Sequence, residues 1–166
     1  MCFKTKAILF FLVCIAVIII YFKNKQETPK MLERTFAMIK PDAVKAGHSN
    51  KIIERIEKEG FTIVKKQETT LTKEKVEQFY DVHKERPFFG EIVEFISSGP
   101  VVLMVLEKEN AIKAWRDLMG ATDPSKAAEN TLRKLYGGSI GENATHGSDA
   151  PETAKTEINL FFPELG

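Results

Sequence analysis

From residue 31 onward, short continuous apolar runs alternate with stretches in which apolar residues recur at helical spacing. The run over 101–106 is apolar at every position, which is typical of a central strand. A shorter apolar run over 35–39 ends at Lys40 and predicts a first strand. Residues 61–70 combine β-branched residues with partial alternation, so we expect a strand there as well.

Helical spacing predicts the segments between these strands. Ser49 can cap a helix that runs to about Glu59 and is followed by Gly60. Ile52, Ile53 and Ile56 lie on one side of this helix. The same spacing predicts three more helices, over 73–82, 88–98 and 111–119. Thr72 would cap the first of these, and Asn110 would cap the last, which Gly120 ends. The chain therefore alternates between strands and helices up to residue 120.

Residues 121–154 show little periodicity and are rich in Gly, Ser, Thr and Asn. They contain a helix candidate over 127–135, and an apolar run over 158–162 predicts a last strand. The order β-α-β-α-α-β-α-loop-β predicts an α+β protein with a ferredoxin-like α/β sandwich. Its four-stranded antiparallel sheet would be covered by helices on one face. Long ordered loops in compact domains are often functional, so 121–154 is a candidate for the site.

The N-terminal part of the chain has a different pattern. Residues 7–22 form an unbroken apolar run with lysines on both sides. As a helix this run spans about 24 Å, slightly less than a bilayer core of roughly 30 Å. We interpret it as a membrane anchor; a cleaved signal peptide and a start at Met31 are the alternatives. The sequence thus divides into a hydrophobic segment with its linker, 1–30, and a domain, 31–166.

Charge limits the ligands that this domain can bind. The chain of 166 residues has 24 lysines and arginines against 23 acidic residues, of which 19 and 22 lie in 31–166. A mildly acidic domain excludes general binding of nucleic acid through a basic surface, so a polyanionic ligand needs a local pocket. Cys2 and Cys14 lie before the domain. A disulfide scaffold, a cysteine nucleophile and a thiolate zinc site are therefore excluded within it.

One histidine has a sequence environment that suits chemistry. His146 lies among small polar residues within 141–149 and is followed by Gly147. A neutral imidazole is a good nucleophile or base near neutral pH, although a loop histidine without a role fits the same local pattern. We interpret His48 and His83 as structural or solvent-exposed. The three histidines lack the spacing of a zinc site.

Basic and aromatic residues that could face an anionic ligand are spread along the domain: Lys40, Arg116, Arg133 and Phe88. Arginine suits bidentate phosphate contacts, and Phe88 is either a core residue or a stacking platform. The sequence has neither a Gly-x-x-x-x-Gly-Lys-Ser/Thr loop nor a Gly-rich dinucleotide loop. A nucleotide would therefore be bound without either of these phosphate cradles.

An ordered set of motifs resembles one enzyme family. The segment Asn-Ala-Thr-His-Gly-Ser-Asp at 143–149 closely resembles the active-site signature of the nucleoside diphosphate kinases. Further segments match in order at 33–44 (ERTFAMIKPDAV), 86–89 (RPFF), 98–102 (SGPVV) and 118–124 (LMGATDP), with Glu157 beyond them. Because the matches extend over 31–166 in the correct order, the domain is identified as a member of this family.

The resemblance implies transfer of the γ-phosphate of a nucleoside triphosphate to a nucleoside diphosphate. The reaction would be ping-pong, through a phosphohistidine on His146, with broad base tolerance. Glu157 would orient the imidazole, Ser148 would hydrogen-bond to Glu157, and Tyr80 would place its hydroxyl beside the histidine. Six further residues would bind the nucleotide: Lys40, Phe88, Arg116, Thr122, Arg133 and Asn143. Mg²⁺ would be the cofactor, carried by the nucleotide and not by protein ligands.

The family also implies a homo-oligomer, a tetramer or a hexamer. The chain ends at Gly166 soon after Phe162, as in bacterial members, which favours a tetramer. Residues 125–130 depart from the family pattern in a loop that packs between subunits. The reaction needs nucleotides, so we expect the domain in the cytoplasm or, if 7–22 is an anchor, on the cytoplasmic side of the membrane.

Two alternatives belong to other functional classes. A catalytically silent relative would act as a scaffold, and a ferredoxin-like module would act in regulation or nucleic-acid binding. The first predicts the loss of a matched catalytic position, and none is lost. The second predicts a basic surface, which the acidic domain lacks. We therefore expect a kinase that binds no specific nucleic acid.

Overall fold

The structure is a computed structural model that describes residues 31–165. Within this range one antiparallel sheet contains β1 (Leu32–Ile39), β2 (Thr62–Thr70), β3 (Pro100–Glu109) and β4 (Thr145–Gly147), in the order β2-β3-β1-β4. The helices are α1 (Pro41–Lys45), α2 (Ser49–Lys58), α3 (Lys73–Phe79), α4 (Phe89–Ser97), α5 (Ala111–Met119), α6 (Leu132–Tyr136) and α7 (Pro151–Phe161). Two 3₁₀ turns cover Asp81–His83 and Pro163–Leu165. The predicted ferredoxin-like fold with a four-stranded antiparallel sheet is confirmed.

Helices cover both faces of the sheet. Strand β3 lies between β1 and β2, and its residues alternate between two cores: Leu103 packs with Met38 in one, and Met104 packs with Ala37 in the other. Residues of α3, α4 and α7 complete the first core, and residues of α1, α2, α5 and α6 complete the second. The expectation of helices on one face is therefore wrong, because a strand that is apolar at every position needs cover on both sides.

Local signals predict some helix ends and miss others. The Thr72 hydroxyl accepts a hydrogen bond from the backbone three residues later, and Gly120 ends α5 with a φ of +83°. Asn110 was expected to cap α5, but it has a φ of +53° and makes no side-chain cap bond. Instead, a Glu33 carboxylate oxygen accepts from the N–H of Ile112 at 2.9 Å. This cap comes from β1, which is distant in sequence and therefore invisible to a local pattern.

The last strand lies earlier in the chain than predicted. Strand β4 has three residues and pairs with β1, so that His146 lies opposite Met38. Residues 158–162, predicted as the last strand, form the end of α7 and the residue after it. Ala154, Ile158 and Phe162 are buried at intervals of four residues, which is helical spacing. The correction places Glu157 on a helix and not before a strand.

Over residues 31–165 no helix is long and apolar enough to span a bilayer. The anchor predicted over 7–22 lies outside the described residues.

Candidate active site

Helix α5 packs against the strand that carries His146. The indole Nε1 of Trp115 donates to the carbonyl oxygen of His146 at 3.2 Å. A Cβ atom on Gly147 would lie 2.3 Å from two atoms of the indole ring. Only glycine permits this approach, so Gly147 lets the strand lie directly against the tryptophan.

A strained turn leads into β4. Ala144 has a φ of +66°, and the N–H of Thr145 donates across it to the carbonyl oxygen of Asn143 at 2.7 Å. This three-residue turn is rare and strained for a residue that has a Cβ. The N–H of Ala144 donates to an Asp42 carboxylate oxygen at 2.9 Å, and the carbonyl oxygen of Ala144 accepts from the N–H of Lys40, also at 2.9 Å. The segment after β1 therefore fixes the backbone from which the histidine projects.

His146, Glu157 and Ser148 form a connected hydrogen-bonded group. His146 Nε2 lies 3.1 Å from Glu157 Oε1, and the Ser148 hydroxyl donates to Glu157 Oε2 at 2.6 Å. The same hydroxyl accepts from the N–H of Phe36 in β1 at 3.2 Å. A carboxylate only accepts hydrogen bonds, so Nε2 must carry the proton and the lone pair remains on Nδ1. The His146 side chain is 20% exposed, which leaves access to the ring.

Tyr80 supplies a buried hydroxyl near the histidine. Its ring centroid lies 6.1 Å from that of His146, and its hydroxyl has no hydrogen-bond partner among residues 31–165. Burial and the negative charge of Glu157 raise the pKa of Tyr80, so the phenol stays protonated. A buried hydroxyl without a hydrogen-bond partner destabilises the protein unless a ligand oxygen accepts a hydrogen bond from it.

Lys40 and Asn143 join the end of β1 to the turn before β4. Lys40 Nζ donates to Asn143 Oδ1 at 2.7 Å, and Asn143 Nδ2 donates to the carbonyl oxygen of Thr122 at 2.9 Å. Lys40 is 6% exposed. Burial, followed by the positive charge of Arg133, lowers the pKa of Lys40 to about 8, and Asp42 opposes this shift. The ammonium group is therefore charged at neutral pH but close to its titration.

Arg133 and Arg116 place two guanidinium groups in the same region. Arg133 donates to the carbonyl oxygens of Gly120 at 2.9 Å and Thr145 at 3.1 Å. Burial, followed by the charge of Arg116, lowers the pKa of Arg133 to about 10, so it stays charged at neutral pH. Arg116 itself is exposed on α5. Two cations that repel each other in this way are stabilised by an anion that binds both.

Phe88 lies at the edge of this region. Its side chain is 47% exposed, and its ring lies 5.8 Å from that of His83, which in turn lies 6.4 Å from Tyr80. Phe88 is therefore not a core residue, although the sequence alone allowed that interpretation. Ring contacts through His83 and Tyr80 link Phe88 to His146, and its half-exposed aromatic face can stack on a planar ligand.

The comparison with known proteins identifies the family. A family model described as nucleoside diphosphate kinase matches residues 33–165. A nucleoside diphosphate kinase of Bradyrhizobium diazoefficiens is 61% identical over 131 residues, which cover 79% of this chain and 94% of that relative. The chain belongs to the nucleoside diphosphate kinase family. Members of this family transfer a phosphoryl group between nucleotides through a phosphohistidine, and this chain is an enzyme of that kind.

Solved nucleoside diphosphate kinases share the fold. The enzyme of Aquifex aeolicus superposes with a TM-score of 0.79 at 48% identity, over 81% of this chain and 98% of that chain. The enzyme of Halobacterium salinarum, in complex with CDP, superposes with a TM-score of 0.77 at 42% identity, over 80% of this chain and 88% of that chain.

The sequence analysis missed three residues that adjoin the site of this nucleoside diphosphate kinase. Asp42 holds the strained turn, Trp115 holds the His146 carbonyl, and Phe79 packs its ring 4.9 Å from the imidazole. Two had a signal in the sequence: Asp42 lies in the Lys-Pro-Asp motif, and Trp115 is the only tryptophan of the chain. Phe79 reads as an ordinary apolar helix position.

Proposed function

We propose that His146 is the residue that carries the phosphoryl group in this chain. The observation that carries the proposal is the 3.1 Å contact between His146 Nε2 and Glu157, which is itself held by Ser148. With Nε2 protonated, Nδ1 is the nucleophile. An imidazole held in one tautomer and anchored at Nε2 avoids part of the cost of ordering it during the reaction.

The reaction has two matched steps. Nδ1 attacks the γ-phosphorus of a nucleoside triphosphate, the bond from phosphorus to the β–γ bridging oxygen breaks, and the nucleoside diphosphate leaves. A second nucleoside diphosphate then attacks the phosphohistidine with its terminal β-phosphate oxygen, and the N–P bond breaks. The Glu157 carboxylate offsets the positive charge that the imidazole gains when Nδ1 is phosphorylated.

Positive and hydrogen-bonding groups would hold the phosphates. Lys40, Arg116 and Arg133 are the cations, and Thr122 and Tyr80 offer hydroxyls. Burial is the main cause that lowers the pKa values of Lys40 and Arg133. The second cause is repulsion, of Lys40 by Arg133 and of Arg133 by Arg116, and this repulsion supports an anionic ligand that binds these cations. Phosphoryl transfer depends mainly on positioning and charge stabilisation, which such a clamp provides.

Mg²⁺ would reach the site as part of the substrate. The clamp consists of cationic side chains, which bind phosphate oxygens and not metal ions, whereas phosphate oxygens are the hard ligands that Mg²⁺ prefers. We therefore propose the magnesium complex of the nucleotide as the substrate, with the ion neutralising phosphate charge.

The nucleoside would extend toward Phe88. Its half-exposed ring supports stacking of the base, and stacking depends on the π-face that every base has. This supports broad base tolerance. Asn143, which is buried and bonded to Lys40, would contact the ribose at the inner end of the clamp.

Three finer proposals concern the whole protein. The kinase domain spans 31–166 and forms a homo-oligomer, a tetramer or a hexamer; the unpaired edge of β2 in the described sheet supports pairing with a second copy. The apolar run 7–22 supports a membrane anchor with the domain on the cytoplasmic side, where nucleotides are available. Sedimentation velocity measures the oligomer, and membrane fractionation of the full-length protein checks the anchor.

Phosphoryl transfer is measured directly with the full-length protein, Mg²⁺ and ATP labelled in the γ-phosphate. Label should appear on the protein, be lost in acid, and pass to GDP when GDP is added. His146→Ala should abolish labelling, whereas His48→Ala, a matched change at a histidine that packs on Tyr136, should leave it intact. A folded His146→Ala variant that still forms labelled GTP would refute the proposal.

A further inference from the structure

Three phenylalanines form an aromatic cluster beside His146: Phe36 of β1, Phe79 of α3 and Phe161 of α7. Phe36 and Phe161 stack at 5.0 Å with an interplanar angle of 11°, and Phe79 meets Phe161 edge-to-face at 5.1 Å. Phe79 is also the member closest to the imidazole, with ring centroids 4.9 Å apart and an angle of 72°. Among the ring contacts of residues 31–165, Phe161 touches Phe36 and Phe79 but not His146.

The bond to Glu157 does not fix the imidazole completely. It holds one ring atom, Nε2, but the ring can still twist about its Cβ–Cγ bond, and the twist moves Nδ1 away from the line of attack. Torsions of this kind have broad minima, so packing against the ring is needed to select one angle. Phe79 meets the imidazole nearly at right angles, a preferred geometry for two aromatic rings.

We propose that Phe79 is a positioning residue for the phosphoryl transfer: it fixes the plane of the His146 ring so that Nδ1 faces the nucleotide. This inference rests on the proposed role of His146 and goes beyond it, because Phe79 has no polar side-chain group and would act through its packing against the imidazole. The imidazole is therefore packed against Phe79 as well as hydrogen-bonded to Glu157.

The same packing protects the phosphohistidine from water. In hydrolysis a water molecule attacks the phosphorus, the N–P bond breaks, one proton of the water goes to Nδ1, and hydrogen phosphate leaves. Phe79 occupies space beside the ring with an apolar surface and so limits the approach of that water. Loss of Phe79 should therefore slow productive transfer and speed hydrolysis, two effects that a general loss of stability does not combine.

Phe79→Leu and the matched control Phe161→Leu separate this role from packing of the cluster. In the full-length protein, rapid quench with labelled ATP gives the rate constant for labelling, a titration gives the affinity for ATP, and decay of isolated phosphoenzyme gives its lifetime. For Phe79→Leu we expect labelling to be about tenfold slower, because loss of an aromatic contact of this kind from the reactive geometry lowers a rate constant by up to roughly tenfold. Affinity for ATP should be unchanged and the phosphoenzyme lifetime shorter.

Phe161→Leu should label at the rate of the unmodified protein, and Phe79→Tyr, which keeps the ring, should restore both rate and lifetime. If Phe79→Leu does not fold, as judged by circular dichroism, Phe79→Met takes its place because it fills a similar volume without a planar ring. Wild-type labelling rate and lifetime in the folded ring-less variant, or an equal defect in Phe161→Leu, would overturn the inference. Absence of label on the unmodified protein would instead count against His146 as the phosphoryl carrier.

Discussion

Replacement of Gly147 by alanine should damage both stability and catalysis. Gly147 follows His146 in β4, and its Cα lies directly against the indole of Trp115. A Cβ there would lie 2.3 Å from Cδ1 and from Nε1 of the indole, and 2.8 Å from the terminal methyl of Met119. The methionine end is flexible and can move, but the indole is fully buried and its Nε1 is bonded to the His146 carbonyl.

The cost has two parts. Overpacking of a tight core contact costs about 1–3 kcal/mol. Loss of the hydrogen bond between Trp115 and the His146 carbonyl adds about 0.5–1.5 kcal/mol. Together they give about 1.5–4.5 kcal/mol, a large share of the roughly 5–15 kcal/mol that is typical of domain stability. Displacement of the His146 backbone should also slow phosphoryl transfer, since misplacement by about 1 Å can cost a hundredfold in rate.

Urea unfolding followed by circular dichroism measures this cost without relying on the tryptophan. A double-mutant cycle with Trp115→Leu assigns it to the contact, because in that background the Gly147→Ala change should cost less than about 1 kcal/mol. Gly138→Ala is the matched control, because a Cβ at Gly138 would meet nothing within 4 Å. An undiminished cost in the Trp115→Leu background would show that the indole contact is not the reason for the glycine.

Three further predictions concern charge, orientation and local stability. Lys40 has its pKa lowered from 10.5 to about 8 by burial first and Arg133 second, so affinity for nucleotides should fall above pH 8. Between about pH 8 and 10.5 the unfolded chain binds a proton at Lys40 that the folded chain does not, so the free energy of unfolding of the free protein should rise with pH over this range. Lys40→Met should remove both the loss of affinity and the gain in stability, as measured by binding and unfolding at a series of pH values. Glu157→Gln should slow labelling of the protein about a hundredfold with little change in nucleotide affinity, as measured by rapid quench. Thr72→Ala should lower the free energy of unfolding by about 1 kcal/mol through loss of the α3 cap, with unchanged kinase rate.

Each of these has an outcome that contradicts it. Parallel pH profiles for Lys40→Met and the unmodified protein would assign the titration to another group. Glu157→Gln with weaker nucleotide binding but normal labelling would place the carboxylate in binding and not in orientation. A Thr72→Ala variant of unchanged stability would mean that water satisfies the helix end equally well.

Local pattern determined much of the architecture. The run over 101–106 is apolar at every position, so its residues exclude water from both sides and fix a central strand. Helical spacing predicted α2 and α5 because each needs only one buried stripe on a short segment. The family follows from the sequence for a different reason: ordered motifs over 31–166 match the residues that the chemistry requires, whatever the surrounding packing.

The tertiary structure determined the secondary structure of the short segments. Strand β4 has three residues, too few for any period, and it is a strand because β1 offers unpaired backbone groups beside it. Residues 158–162 carry an apolar run that suits a strand or a buried helix, and packing of Ile158 and Phe162 against β1 and β3 selected the helix. Pairing between segments is a long-range event that local propensity does not encode.

The site shows the same division. The sequence identified His146 as the nucleophile candidate and Glu157 as its partner, because a family motif carries residue types in order. Which atoms meet was decided by the fold: Nε2 on Glu157, Asp42 on a strained turn, and Phe79 against the imidazole. These contacts join α1, α3, α7 and the segment formed by β4 and the turn before it, and the two partners of the Asp42 contact are 102 residues apart in the sequence. Sequence specifies the side chains, whereas only the packed sheet and helices set the distances between them that chemistry depends on.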